Sequence, residues 1–165
     1  MAAPSPLTER ELRFLRELER TGVPVMLVGL SAAALQGAPV VTEDVDLWFK
    51  DLSDPRLHEA LRRIGGAYVP PSALNPPMLT GAGLDLFDIV LRMDGLESFD
   101  EEFSHAVSVD IAGCAVKVLP LARILASKRA ANRPKDRLVL PVLEDTLATL
   151  AARQESQGDP PHSIR

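Results

Sequence analysis

Thr42-Glu43-Asp44-Val45-Asp46-Leu47-Trp48-Phe49 sets two acidic residues two positions apart inside an apolar run. Alternate residues of an extended strand share a face, so Asp44 and Asp46 are expected to point together, with Val45, Leu47 and Phe49 opposite them. Two like charges held that close repel, and burial would raise the pKa of at least one of them. A divalent cation relieves the repulsion, and Mg²⁺ favours one or two carboxylates completed by substrate phosphates and water. The pair therefore reads as a metal site facing a phosphate pocket, carried on a strand of Val40 to Phe49.

Two further stretches extend that reading. Upstream, Val28-Gly29-Leu30-Ser31 turns a short apolar run into an alanine-rich segment. Glycine lets the backbone approach a phosphate, and helix-start amides with a serine hydroxyl suit anions. Gly29 and Ser31 are equally the pattern of an ordinary strand-to-helix turn with Ser31 as N-cap. Downstream, Asp88 lies between Phe87 and Ile89 in an apolar strand, Leu84 to Arg92, where a carboxylate is costly without a partner. If that strand neighbours the first, Asp44, Asp46 and Asp88 could hold two metal ions. Asp85, three residues earlier, faces the other way and reads as structural.

The rest of the chain alternates helix and strand. Thr8 with Glu11 forms a capping box ahead of a Leu/Phe stripe that runs to Arg20. Val25 to Val28 reads as a buried strand, Ser31 to Gln36 as a helix, and Asp54-Pro55 to Ile64 as another, closed by Gly65-Gly66. The Pro-, Gly- and Asn-rich stretch from Tyr68 to Gly83 is expected to be an irregular loop. An amphipathic segment, Leu96 to Ala106, precedes a hairpin of Val107 to Ile111 and Cys114 to Val118 around Ala112-Gly113. Helices of Leu121 to Asn132 and Pro134 to Gln154 close the chain. The expectation is one α/β (α+β) domain over 7–154: a small mixed sheet of about five strands flanked by helices, with flexible tails at 1–6 and 155–165.

Composition bounds the partners. The 165 residues suffice for one domain, 46% are apolar, and the net charge of −5 gives no support for nonspecific nucleic-acid binding. Lys128, Arg129, Arg133, Lys135 and Arg137 nevertheless cluster, and read either as a solvated basic face or as contacts to a triphosphate through Lys128 or Arg133. The lone Cys114 is expected to be a buried structural thiol in a reducing compartment. His58, His105 and His162 show no ligand spacing, and Ser31 lacks a His partner for a nucleophilic triad. Trp48 is expected to pack at a sheet edge rather than stack on a base. No signal peptide and no run long enough to span a bilayer is visible, so a cytoplasmic protein without membrane contact is expected.

With these residues in view, the chain resembles the nucleotidyltransferase superfamily with the DNA polymerase β-like fold, and within it small bacterial proteins related to toxin–antitoxin nucleotidyltransferases. Val28-Gly29-Leu30-Ser31-Ala32 matches the glycine turn, Thr42 to Leu47 the Asp-x-Asp strand, and Leu86-Phe87-Asp88-Ile89-Val90 the third acid. Ala126-Ser127-Lys128 and Asn132-Arg133-Pro134-Lys135-Asp136 resemble a later family segment. Leu30 stands where a second glycine is frequent, and Val40 where related sequences often carry arginine.

The resemblance implies Mg²⁺-dependent transfer of a nucleoside monophosphate from an NTP to an acceptor hydroxyl of tRNA, protein or a small molecule. Asp44, Asp46 and Asp88 would be the catalytic and metal-binding residues, with two Mg²⁺ ions, and Asp88 would help deprotonate the acceptor. Gly29, Ser31, Lys128 and Arg133 would bind nucleotide, and a cognate antitoxin would be a partner. Leu30, Val40 and the small size favour a second reading, a noncatalytic nucleotide- or partner-binding module on the same fold. A third is a metal-dependent phosphodiesterase.

Overall fold

A computed structural model describes residues 7–158; the expected tail at 1–6, and residues 159–165 of the one expected at 155–165, lie outside the described residues. Helix α1 (Glu9–Thr21) begins at the Thr8/Glu11 capping box and stops at Gly22, whose left-handed φ of 71° a side chain would resist. It is followed by β1 (Val25–Val28), α2 (Gly29–Leu35), β2 (Val45–Phe49) and α3 (Pro55–Arg63), the last capped by the Asp54 side chain on the Arg56 amide. A short hairpin of β3 (Ala67–Val69) and β4 (Met78–Thr80) leads to β5 (Phe87–Val90) and α4 (Phe99–Ser104). The hairpin of β6 (Val107–Ile111) and β7 (Cys114–Val118) turns through Ala112 and Gly113, both at positive φ. Helices α5 (Leu121–Ala131) and α6 (Pro134–Gln157) complete the chain.

The main sheet has five strands in the order β5-β2-β1-β7-β6, with β2–β5 and β1–β7 parallel and β1–β2 and β6–β7 antiparallel. This is the mixed five-stranded α/β arrangement the sequence leads one to expect. Val45, Leu47 and Phe49 are buried, as their alternation requires, and Phe14 of α1 meets Phe87 of β5 edge-on at 5.2 Å. On the alternate face Trp48 is buried and meets Phe99 of α4 at 5.6 Å, in a strand flanked on both sides. It is a core residue of the sheet interior rather than of its edge. Cys114 is fully buried, and burial together with Glu19 raises its thiol pKa to about 12. Among the described residues no helix is long and apolar enough to cross a membrane.

Four local expectations need correction. The strand expected from Val40 starts at Val45, because Pro39 interrupts pairing and the Thr42 hydroxyl bonds to the Asp44 carbonyl in an open turn. Residues 68–83 contain the β3–β4 hairpin, whose Leu79 is buried, so part of this stretch is paired rather than irregular. The strand expected over 84–92 shortens to Phe87–Val90, since Leu84 and Phe87 are joined by a backbone turn bond. Finally, α6 runs to Gln157, three residues past the expected boundary at 154.

Candidate functional site

Register brings the acids together. Asp46 of β2 lies directly opposite Asp88 of β5 in the parallel pair, and opposite Val28 of β1 on its other side. In parallel strands, residues in register on one face are near neighbours, so the two carboxylates stand side by side. Asp44, one residue before β2, lies off the strand and exposed, yet close enough that its charge acts on both. Asp88 is exposed rather than buried as its apolar flanks suggest, because β5 is an edge strand and its alternate face is open there.

Gly29 explains how a half-buried carboxylate fits at Asp46. Its φ is +69°, and a methyl group built on it would run into Asp46 Oδ2 and stand 3.3 Å from Cγ. The glycine thus vacates the volume the carboxylate occupies. Among the described residues no hydrogen bond or ion pair reaches the Asp46 carboxylate. Burial raises its pKa, the charges of Asp88 and Asp44 add to that, and Lys128 and Lys135 oppose it. Asp88 shifts the same way, through burial and then the charge of Asp44.

A cleft of about 290 Å³ opens beside Asp46, lined by Gly29 and Asp46 and, on its other wall, by Ser127, Lys128, Arg133 and Lys135; Asp44 and Asp88 stand outside its lining. Arg92 and Asp94, from the segment after β5, complete it. The Asp136 carboxylate, 1% exposed, sits between the cations: Arg133 Nε donates to it at 2.7 Å and Lys128 Nζ approaches it at 3.3 Å. Burial alone would raise the Asp136 pKa, but those bonds and the Arg133 amide prevail and hold it at about 2. Lys128 and Arg133 are therefore already engaged by a fixed carboxylate. Arg129 pairs with Glu144 instead.

Sequence reasoning and structure differ at Ser31 and at Arg92. Ser31 is buried and donates to the Val28 carbonyl at 3.2 Å, as a turn residue does; it does not line the cleft. Arg92, which sequence reasoning missed, does line it, and among the described residues no ion pair engages Arg92 or Lys135. The signal for Arg92 was available: it follows Asp88 by four residues, an even interval that keeps both on one side of an extended segment. His58 Nε2 donates to the Leu52 carbonyl and the ring lies edge-on to Tyr68, a packing role as expected. His162 lies outside the described residues.

Comparison with solved structures gives the architecture a name. The chain superposes on the crystal structure of ANT(2'')-Ia in complex with adenylyl-2''-tobramycin with a TM-score of 0.55, over 89% of this chain and 96% of that one, at 16% identity. It superposes on the solution structure of the antibiotic-resistance factor ANT(2'')-Ia with a TM-score of 0.53, over 90% and 92%, at 15% identity. The fold is that of the nucleotidyltransferases. At such identity the likeness is one of nucleotidyltransferase fold alone, which places Asp46, Asp88 and the cationic cleft on that scaffold without assigning them roles. No family model matches the sequence, and no curated protein does.

Among the described residues no three His, Cys, Asp or Glu side chains are gathered tightly enough to form a complete protein ligand set. What is present is an adjacent pair, Asp46 and Asp88, with Asp44 at its rim and no cation in contact with Asp46. That suits Mg²⁺, which takes one or two carboxylates and keeps the rest of its shell for water and phosphate oxygens.

Proposed function

We propose that this protein transfers a nucleoside monophosphate from an NTP to an acceptor hydroxyl. The observation that carries the proposal is that Asp46, paired in register with Asp88, lines a cleft walled by Arg92, Lys128, Arg133 and Lys135. Two adjacent carboxylates beside a cationic wall suit a ligand that brings both a divalent cation and a polyanionic tail. A triphosphate–Mg²⁺ complex is such a ligand.

In this reading Asp44, Asp46 and Asp88 would hold two Mg²⁺ ions, which would supply charge neutralisation at the leaving pyrophosphate and a lowered pKa at the attacking hydroxyl. Arg92 and Lys135, unengaged by carboxylates, bind the β- and γ-phosphates. Lys128 and Arg133, anchored by Asp136, present a preorganised positive edge that needs little reorganisation. Gly29 leaves room for Asp46 and lets the backbone lie against the nucleotide. The acceptor oxygen bonds to the α-phosphorus, the bond from that phosphorus to the bridging oxygen breaks, and its electron pair leaves with pyrophosphate. Asp88, exposed and raised in pKa, takes the acceptor proton.

The acceptor is a hydroxyl of tRNA, protein or a small molecule; by analogy with a neighbour solved with adenylyl-2''-tobramycin, an antibiotic hydroxyl joins that set. A cytoplasmic location follows from the need for NTP. The cognate antitoxin rests on the sequence resemblance alone. A noncatalytic nucleotide- or partner-binding module is the second reading, favoured by Leu30 and Val40 standing where the related pattern carries glycine and arginine.

Incubation with labelled NTP, Mg²⁺ and a cell extract tests the proposal. Pyrophosphate release with label on an acceptor is expected, and Asp46→Asn should abolish it while leaving the fold intact. Binding of NTP by calorimetry without any labelled product would favour the module. Arg92→Ala and Lys135→Ala should each raise the NTP–Mg²⁺ Kd by roughly tenfold or more, the size of one charge-assisted contact. Their stability should stay within about 0.5 kcal/mol, since both side chains are exposed.

A further inference from the structure

Helix α2 packs against α5, and a single side chain ties the two together at one end. Pro120, at the N-cap of α5, has no side-chain acceptor for the free amides of the first turn. That cap comes instead from Gln36, directly after α2, whose Oε1 accepts from the Leu121 amide at 2.9 Å. Its Nε2 donates to the Leu119 carbonyl at 2.8 Å, and at 3.0 Å to the Ala32 carbonyl in the last turn of α2. Both amide protons and the amide oxygen are engaged, so one half-buried side chain closes the end of α2 and the start of α5 together. At their opposite ends the same helices wall the cationic cleft: Gly29 opens α2, and Ser127 and Lys128 lie in the later turns of α5. Gly29 precedes Gln36 by as many residues as Lys128 follows Leu121. The two helices therefore run antiparallel, with the clamp about 10 Å along each of them from the cleft.

We infer that Gln36 is a positioning residue of the nucleotide site: by clamping α2 to α5 at their far ends, it fixes the spacing between the Gly29–Asp46 wall and the Lys128 wall. The inference rests on the nucleotidyl-transfer reading and adds to it a residue outside the lining of the cleft. Asp46 stands against Gly29, so a shift of α2 moves the backbone beside that carboxylate. Lys128 is tied to Asp136 of α6, so a shift of α5 disturbs the cationic wall. A ligand that spans the cleft, with its cation at Asp46 and its phosphates at Lys128, Arg133 and Lys135, needs both walls at one spacing. A ligand of the cationic wall alone does not. Spacing fixed before binding lowers the ordering cost for the spanning ligand only.

Gln36→Met keeps the length of the side chain and removes its three hydrogen bonds. Calorimetry at a temperature where every variant is folded tests the clamp. The ATP–Mg²⁺ Kd of Gln36→Met should rise roughly fivefold or more over wild type. The Kd for tripolyphosphate in EDTA, which needs the cationic wall alone, should be unchanged. Gln36→Glu keeps an acceptor for the Leu121 amide but loses both donors, and should show the same split at smaller size. Leu57→Ala, buried in α3 against α1 and away from the cleft, is the control for lost stability and should leave both constants as in wild type. Equal ATP–Mg²⁺ affinity in wild type and both Gln36 variants overturns the inference alone. A loss shared by the two ligands, or matched by Leu57→Ala, makes Gln36 a general stabiliser and overturns it as well. Wild-type protein that binds no ATP–Mg²⁺ removes the transfer reading, and with it the positioning role.

Discussion

Asp46 is a half-buried carboxylate beside a second carboxylate with no cation in contact, which is a cost to the folded state. Because its pKa is raised on folding, the folded chain holds that proton more tightly than the unfolded one. Stability therefore falls as pH rises through the raised value. Asp46→Asn removes the repulsion at nearly constant shape. Its melting temperature in EDTA at neutral pH should exceed wild type by roughly 1–3 °C, with the gain shrinking as pH falls through the raised pKa and Asp46 takes up its proton. A lower melting temperature would contradict the repulsion. Gly29→Ala is the converse case: a positive φ and a methyl aimed at Asp46 Oδ2 should cost about 1–2 kcal/mol by urea unfolding and displace the carboxylate. Asp46 was legible as a candidate because an acid inside an apolar alternation stands out. The role of Ser31 was not legible, because a serine after a strand reads identically whether its hydroxyl faces a ligand or the Val28 carbonyl.

The α5–α6 corner is held by Asp136, which joins Lys128 of α5 to Arg133 and starts α6. Its pKa is depressed to about 2, so the stability it contributes is present above the ordinary carboxylate range and is lost as pH falls from about 4 to about 2. Asp136→Asn should cost about 2–3 kcal/mol at pH 7, below the value for fully buried pairs because Arg133 is half exposed, and the difference should vanish near pH 2. Chemical denaturation across pH 2–7 checks both the size and the direction. At this scale the capped helices and the β6–β7 hairpin were readable, since a capping box or an Ala-Gly turn acts between residues a few positions apart. Strand ends were not. Hydrophobicity continues through Val40-Val41 and Leu84, but pairing stops where the neighbouring strand stops.

One apolar cluster runs from Phe14 and Leu15 of α1 through the sheet to Leu143 of α6. A core shared by all layers predicts a single cooperative transition. Far-UV dichroism and the fluorescence of Trp48, the only tryptophan and 4% exposed, should report the same melting curve. The calorimetric enthalpy should be about 100 kcal/mol near 60 °C. Separate curves would mean that α6, much of which is exposed, unfolds independently. By itself the sequence determined which residues could form strands, where helices start and stop, and that acids sit within apolar runs, because each of these depends on near neighbours and simple periodicity. Only the tertiary structure decided that β2 pairs with β5 in the register that sets Asp46 against Asp88. It alone decided that Asp136 claims Lys128 and Arg133 while, among the described residues, no ion pair engages Arg92 or Lys135. Those outcomes follow from which strands and helices pack together, a choice made by the whole core and carried by no local stretch of chain.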